Sequence, residues 1–576
     1  MLAALAFTPV RRKMVSPMAL AMNYVRSINA PPGTLTLEAA PAASGVPLAA
    51  ASSSTVEASP EKASHEWSSY NRELASQRYS PLSQIDHDNV GTLKVLCTYD
   101  TKQYSSFEAG LIMVNGALIG TTERDIFSID PATCAENWRT RDRSDDLRAS
   151  RGAAYLDGLL FRGHGDGRVA AYDFKTGARV WETSIANRRL GESVGAAPIA
   201  WNGLVFIGNA GGDEKGVKGR MYALEAKTGR IVWEFYLVPK GPNDPTRGPQ
   251  GATPLDSSTW GNEPDTPITG GATWSSYSLD PERGELYIPT GNAAPNFAKG
   301  PRKGTNLYSG SVVVLDAKTG AYVRHYEITS GDWHDWDVSN APALIRTRAG
   351  KRLMAVAPKD GHLYGFDLDS NALIYRRPVD RIQNADMPFS TEVAVHVCPG
   401  TGGGAEFNGP SYHPGTNMIL VGEVDRCSSI RLQSNAEIHA VKLGAGWTAM
   451  ATHNPFDIFG VSDPYREAGG WIYASDADTG EWRWRARSNY PILSGITTTA
   501  GGLVFFGDMG GNFYALDIAS GQRRLSMNLG GAIAGGVITY AVAGAQKVAV
   551  AAGFTAVLWP TRVVTGKVVI LGLPPP

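Results

Sequence analysis

The residues best equipped for chemistry stand in short, mostly glycine-bearing segments scattered between residues 107 and 409. They are Phe107-Glu108-Ala109-Gly110, Ser150-Arg151-Gly152, Arg162-Gly163-His164-Gly165-Asp166-Gly167, Gly211-Gly212-Asp213-Glu214-Lys215-Gly216, Gly270-Gly271-Ala272-Thr273-Trp274, Thr290-Gly291-Asn292-Ala293-Ala294-Pro295, Asp335-Trp336-Asp337, Pro358-Lys359-Asp360-Gly361 and Gly404-Ala405-Glu406-Phe407-Asn408-Gly409. Carboxylate and amide oxygens can hold a hard cation, a carboxylate can take a proton, and a lysine can stabilise developing negative charge. Taken singly, each has an ordinary structural reading as a turn cap or a packing residue. They act together only if the fold carries distant segments to one place.

Such a fold is written in a repeated phrase: an apolar stretch, Asp-x-x-Thr/Ser-Gly, then often a tryptophan. Its copies are Asp130-Pro131-Ala132-Thr133, Asp173-Phe174-Lys175-Thr176-Gly177, Glu225-Ala226-Lys227-Thr228-Gly229, Asp316-Ala317-Lys318-Thr319-Gly320, Asp476-Ala477-Asp478-Thr479-Gly480 and Asp517-Ile518-Ala519-Ser520-Gly521, with a degenerate one at Asp367-Leu368-Asp369-Ser370. Each predicts a tight turn in which Asp and Thr satisfy local backbone groups and Gly takes a left-handed conformation. Alternating apolar runs before the turns, such as Leu204-Val205-Phe206-Ile207 and Leu503-Val504-Phe505-Phe506, read as strands. Trp138, Trp181, Trp233 and Trp484 follow their turns at nearly one offset, as rings packed between neighbouring units would. The spacing suits four-stranded blades of about 40–50 residues, and seven or eight fit before residue 560. The expected fold is all-β, a propeller closed by pairing its first and last strands in one blade, because an open ring would leave two exposed sheet edges.

Of the 576 residues 43% are hydrophobic, 19% are charged and 65 are glycine, a balance of many turns around a large core. The formal net charge is -1 with no basic block able to follow a phosphate backbone, which excludes nucleic acid as an expected partner. Residues 1–62 read as a leader or linker, 63–560 as the propeller and 561–576 as a tail. Within the leader, Arg11-Arg12-Lys13 precedes a moderately apolar run from Met14 to Val25, too short to span a membrane and only a weak export signal. Cys97, Cys134, Cys398 and Cys427 have neither Cys-x-x-Cys-His nor zinc-site spacing. Cys97 with Cys134 and Cys398 with Cys427 are two plausible pairs, either of which would close a loop of about 30 residues; free buried thiols are the alternative.

The motifs resemble those of the quinoprotein alcohol dehydrogenases, eight-bladed propellers of four-stranded antiparallel blades that bind pyrroloquinoline quinone and a divalent metal on their axis. The likeness runs from about residue 65 to about residue 556, including Arg78-Tyr79-Ser80-Pro81-Leu82 and the stretch from Thr497 to Gly511. It implies that Glu108 and Arg151 meet the polar edge of the quinone and that Trp274 is the floor on which its ring lies. Glu214 and Asn292 would be metal ligands together with Asp337, with Asp213 the alternative to Glu214. Asp337 would be the catalytic base and Lys359 a cation on the quinone oxygens, while His164, Glu406 and Asn408 are further cofactor contacts; His164 has an equal reading as a turn cap. Asp335 and Asp360 read as turn caps. Ser339 stands where lanthanide-dependent relatives have another Asp, which favours Ca2+.

The implied activity is oxidation of a small or polymeric alcohol, in the periplasm or outside the cell. Electrons would pass to a separate acceptor such as a c-type cytochrome, since no haem-attachment motif is present. Where many relatives carry two adjacent cysteines, this chain has Asp145, Asp146 and Leu147. A non-catalytic propeller scaffold and a quinoprotein for sugars or aldehydes are the competing readings. The long segments 237–270 and 436–470, the second containing His453 to Phe459 and Tyr465, could line an entrance or cap a blade.

Overall fold

The computed structural model describes residue 21 and residues 32–40, 65–142, 148–249, 257–451, 460–556 and 559–574. Antiparallel pairing sorts its strands into eight four-stranded blades around one axis. In chain order, blades 1 to 7 take their four strands from 112–141, 154–184, 199–236, 278–327, 343–378, 411–488 and 497–528. Blade 8 closes the ring: Val537–Val542, Ala545–Ala552 and Lys567–Gly572 are joined by Lys94–Asp100 from the start of the domain. Closure therefore occurs as the sequence predicts, but the expected tail does not begin at 561. Lys567–Gly572 is an inner partner with neighbours on both sides, and its Val568, Ile570 and Leu571 are fully buried. The expected leader likewise contributes a strand, Leu35–Ala39, which adds a fifth member to blade 6 by pairing with Trp482–Ser488. Tyr79–Ser80 adds a short parallel strand to blade 7.

The repeated turn explains how the blades lock together. Asp173 Oδ1 accepts hydrogen bonds from the Thr176 amide and hydroxyl, both at 2.8 Å, and Gly177 follows at φ 69°. The tryptophan of the preceding blade lies against that glycine and donates its indole N–H to the carbonyl one residue past the turn aspartate or glutamate. Trp138 reaches Phe174 O at 3.0 Å, Trp181 reaches Ala226 O at 2.8 Å, Trp233 reaches Ala317 O at 3.0 Å and Trp484 reaches Ile518 O at 2.9 Å. A Cβ on Gly229 would stand 2.4 Å from the Trp181 ring, so the contact requires glycine. Tyr375 and Tyr540 do the same with their hydroxyls, on Ala477 O at 3.1 Å and Pro131 O at 2.8 Å, and the latter joins blade 8 to blade 1.

Both cysteine pairs are disulfides. Cys97–Cys134 ties the closing strand to the first repeated turn, and Cys398–Cys427 fastens a small sheet of Val395–Val397, Ser428–Ile430 and Val461–Ser462 beside blade 6. Closing loops of 37 and 29 residues restricts the unfolded chain by roughly 4 kcal/mol each. No helix of the described residues is long and apolar enough to cross a membrane. Asp145 to Leu147 and His453 to Phe459 lie outside the described residues.

Alternating strand direction gives each propeller end its own set of connections. Turns between strands 1 and 2 and between strands 3 and 4 lie at one end; links between strands 2 and 3, and from each blade to the next, lie at the other. Every candidate residue belongs to the second set. Truncation after residue 560 removes the Lys567–Gly572 strand and is expected to abolish soluble folded protein, which gel filtration and circular dichroism would show. Trp233→Ala should lower stability by about 3–5 kcal/mol, and Trp233→Phe by about 1–2 kcal/mol for the unpaired carbonyl, read from denaturant unfolding midpoints.

Candidate active site

Glu108, Arg151, Trp274, Asp337 and Glu406 arrive on the links that enter blades 1, 2, 4, 5 and 6, while Asn292 and Lys359 arrive on the loops between strands 2 and 3 of blades 4 and 5. Glycine lets these backbones approach closely. Gly291 N–H donates to Ala272 O at 2.8 Å and Gly271 N–H to Asn292 O at 2.9 Å, so the Trp274 and Asn292 segments run side by side. A Cβ on Gly291 would lie 2.7 Å from Asp337 Oδ1, and one on Gly404 would strike the Lys359 backbone.

At the centre, Asp337 Oδ1 accepts from the Asn292 amide at 2.8 Å and Asp337 Oδ2 lies 3.5 Å from Lys359 Nζ. The ammonium is nearer to Asp335 Oδ2, at 3.1 Å. Asp335 Oδ1 accepts from Asn296 Nδ2 at 2.6 Å, and the same nitrogen donates to Asp213 Oδ1 at 2.9 Å. Asp335 is thus not a turn cap, whereas Asp360 is one, accepting from the His362 amide at 3.1 Å. Burial drives the Asp335 carboxyl well above the usual carboxylate range and raises Asp337 as well. Lys359 opposes both shifts, and the Asp213 charge adds to them. The two carboxylates in turn hold Lys359 firmly protonated against its burial.

Beside this cluster lies an aromatic slot. The Arg151 guanidinium sits 4.6 Å from the Trp274 ring centre and 4.5 Å from that of Phe407, and it donates to Glu108 Oε2 at 3.1 Å. Trp274 and Phe407 meet edge to face with centroids 6.5 Å apart. Burial raises Glu108, with Arg151 opposing. Burial also pushes Glu406 up to about 7, against Lys359 and Arg151 and in concert with Asp337 and Glu108, so one electrostatic field spans slot and cluster.

Other expected residues are engaged differently. Asn408 donates to Leu493 O at 2.6 Å and Ala534 O at 3.0 Å and accepts from Tyr70 Oη at 2.9 Å, spending its amide on joining blades. His164 is enclosed between Asp142 Oδ2, 2.5 Å from Nδ1, and Tyr172 Oη, 3.1 Å from Nε2; burial, with Arg162 nearby, pushes it down to about 4. Glu214 leans past Gly191 and Gly211, with Oε1 4.0 Å from an Arg148 nitrogen. Asp213, not Glu214, faces the Asn296–Asp335 pair. Ser339 Oγ donates to Ala405 O at 2.6 Å. Sequence reasoning missed Phe407, although it stands between two residues that were named, and Asn296, whose only signal was its place four residues after Asn292.

Lys359→Met leaves two buried carboxyls unpaired and should cost about 3–5 kcal/mol. Carboxyls raised in the folded state bind protons there that the unfolded chain lacks, so their contribution to stability is largest at low pH and is lost as pH rises through the raised values. Removing Lys359 raises them further. The variant's deficit should therefore widen between acidic and alkaline pH, as parallel denaturation series would show.

Comparison with known proteins agrees with this fold. Residues 67–376, more than half of the chain, match the family described as glucose/ethanol/alcohol dehydrogenase, beta-propeller domain, and residues 468–569 match that of the outer membrane protein assembly factor BamB. The dehydrogenase subunit of the quinone alcohol dehydrogenase of Gluconobacter oxydans is 29% identical over 546 residues, covering 85% of this chain and 70% of its own. Among solved structures, the quinohemoprotein alcohol dehydrogenase ADHIIG of Pseudomonas putida superposes with a TM-score of 0.78 at 25% identity, covering 88% of this chain and 80% of its own. A europium-containing methanol dehydrogenase gives 0.77 at 25% identity over 88% of this chain and 98% of its own. With its eight blades and the family match across the segments that build the axial cluster, this chain belongs to the glucose/ethanol/alcohol dehydrogenase β-propeller family.

Proposed function

We propose that the protein oxidises an alcohol to an aldehyde or ketone with pyrroloquinoline quinone and Ca2+, passing electrons to a separate acceptor such as a c-type cytochrome. The observation that carries this reading is the buried Asn292–Asp337–Lys359 cluster abutting the Trp274–Arg151–Glu108 slot. The Arg151 guanidinium itself covers the Trp274 ring here, so a flat, carboxylated cofactor on that ring would take its place and meet Arg151 and Glu108 at its edge. Glu214, the Asn292 side-chain oxygen and Asp337 would supply a hard-oxygen donor set suited to calcium. Ser339 brings no charge to it, its hydroxyl being given to a backbone carbonyl.

When bound, the quinone supplies an electrophilic carbonyl that accepts hydride from the alcohol carbon, and the metal strengthens that electrophilicity. Asp337 takes the hydroxyl proton, its other oxygen anchored by the Asn292 amide so that the carboxylate cannot rotate away. Lys359 keeps a permanent positive charge at the place where negative charge develops. Trp274 and Phe407 exclude water from the face on which the reaction occurs.

These 576 residues hold no haem-attachment motif, and all four cysteines are in disulfides, so electrons leave through another haem or carrier. The disulfides also favour a periplasmic or secreted location.

Reconstituted with pyrroloquinoline quinone and Ca2+, the protein should reduce an artificial dye with alcohols. Asp337→Asn should lower kcat by about 10³-fold while retaining quinone, and Glu214→Gln should weaken calcium-dependent quinone retention by about 10–100-fold. Activation by lanthanum but not calcium would overturn the metal assignment.

A further inference from the structure

Lys359 is shared unequally by two carboxylates, and the nearer one is not the base. Its ammonium lies 3.1 Å from Asp335 Oδ2 and 3.5 Å from Asp337 Oδ2. Asp335 is fixed at both oxygens, since Asn296 Nδ2 holds Oδ1 at 2.6 Å and Asn296 is itself fully buried and tied to Asp213. Its backbone adopts φ 67°, a left-handed conformation that costs most residues energy and that Asp and Asn tolerate best. Trp336 points elsewhere, stacking on His334 at 3.9 Å and donating to Pro399 O at 3.3 Å, so Asp335 and Asp337 present their carboxylates to one ammonium.

We propose that Asp335 is a positioning residue for alcohol oxidation: it holds the Lys359 ammonium to a long 3.5 Å contact with Asp337 Oδ2, so that this oxygen can still accept from the substrate hydroxyl while the cation stays beside the reacting centre. The inference rests on the function proposed above. Without Asp335, Asp337 is the one carboxylate among the described residues within 4.0 Å of the buried ammonium, Glu406 acting from further away, and a charge-assisted bond to Asp337 would close. A base whose lone pairs are held by an ammonium is a poor proton acceptor, so the cost falls on turnover rather than on substrate binding.

Asp335→Asn isolates the charge, because Asn suits the left-handed backbone and preserves a partner for Asn296. In the crystal structure of the cofactor-free variant, Lys359 Nζ should move to within about 3 Å of Asp337 Oδ2. In the quinone-loaded variant, kcat should fall at least about tenfold with KM changed less than about threefold. Asp335→Glu, which restores the charge, should recover part of the loss. In a Lys359→Met background, Asp335→Asn should have little further effect on kcat, because its partner is gone. Full turnover by Asp335→Asn, an unmoved ammonium, or an undiminished effect in the Lys359→Met background would overturn the proposal. A wild-type protein inactive with pyrroloquinoline quinone would instead overturn the function on which it rests.

Discussion

The structure depends on one contact made at six of the eight joints between blades: an aromatic ring of one blade set against the turn of the next, with its polar hydrogen on a backbone carbonyl there. Trp138, Trp181, Trp233, Tyr375, Trp484 and Tyr540 all make it. Where the turn carries a glycine it must lack a side chain for the ring to approach, Cys134 taking that left-handed place in the turn that Tyr540 meets, and the carbonyl must find a donor because the joint excludes water. Each joint sets the angle between two blades. The summed angles decide whether segments from blades 1 to 6 meet on the axis, so the geometry around Asp337 is inherited from contacts at the opposite end of the blades.

That inheritance permits an otherwise costly concentration of charge. Asp335, Asp337, Glu108, Glu406 and Lys359 are crowded together with Arg151, most of them nearly inaccessible, and the acids outnumber the cations. Unpaired charge in such a place costs several kcal/mol. A rigid ring can hold these groups apart at fixed distances, whereas a pliable one would let them collapse into the tightest pairs. The raised carboxyls are therefore a consequence of packing, and they leave a base that binds a proton more readily than a solvated aspartate would.

The fold was legible because its determinants are local and repeated. Asp-x-x-Thr-Gly prescribes a turn within five residues, and the tryptophan offset prescribes the neighbour. The site was legible only by motif, because no local rule says that Trp274 should meet Arg151 or that Lys359 should lie between Asp335 and Asp337. Asp335 looked like a turn residue since its neighbours gave no hint of a lysine 24 positions later. Asn408 looked like a pocket residue, yet its amide hydrogen-bonds two distant carbonyls and Tyr70. The end of the domain was misplaced for a similar reason: Lys567–Gly572 carries no repeated turn, being the strand that completes blade 8 with a partner from the start of the chain.

The two propeller ends thus obey different rules. At the turn end, one solution serves six of the eight joints, and Tyr375 in place of tryptophan keeps the hydrogen bond to the following blade. At the other end each loop differs from the rest, because each delivers one group to a place that no other group can occupy. Gly291 and Gly404 are as indispensable there as Gly229 is at the turns, but for a different cause: they make room for a carboxylate and for the lysine backbone rather than for an indole. Repetition builds most of the frame, and the irregular loops carry the chemistry, with a residue such as Asn408 among them tying blades together as well.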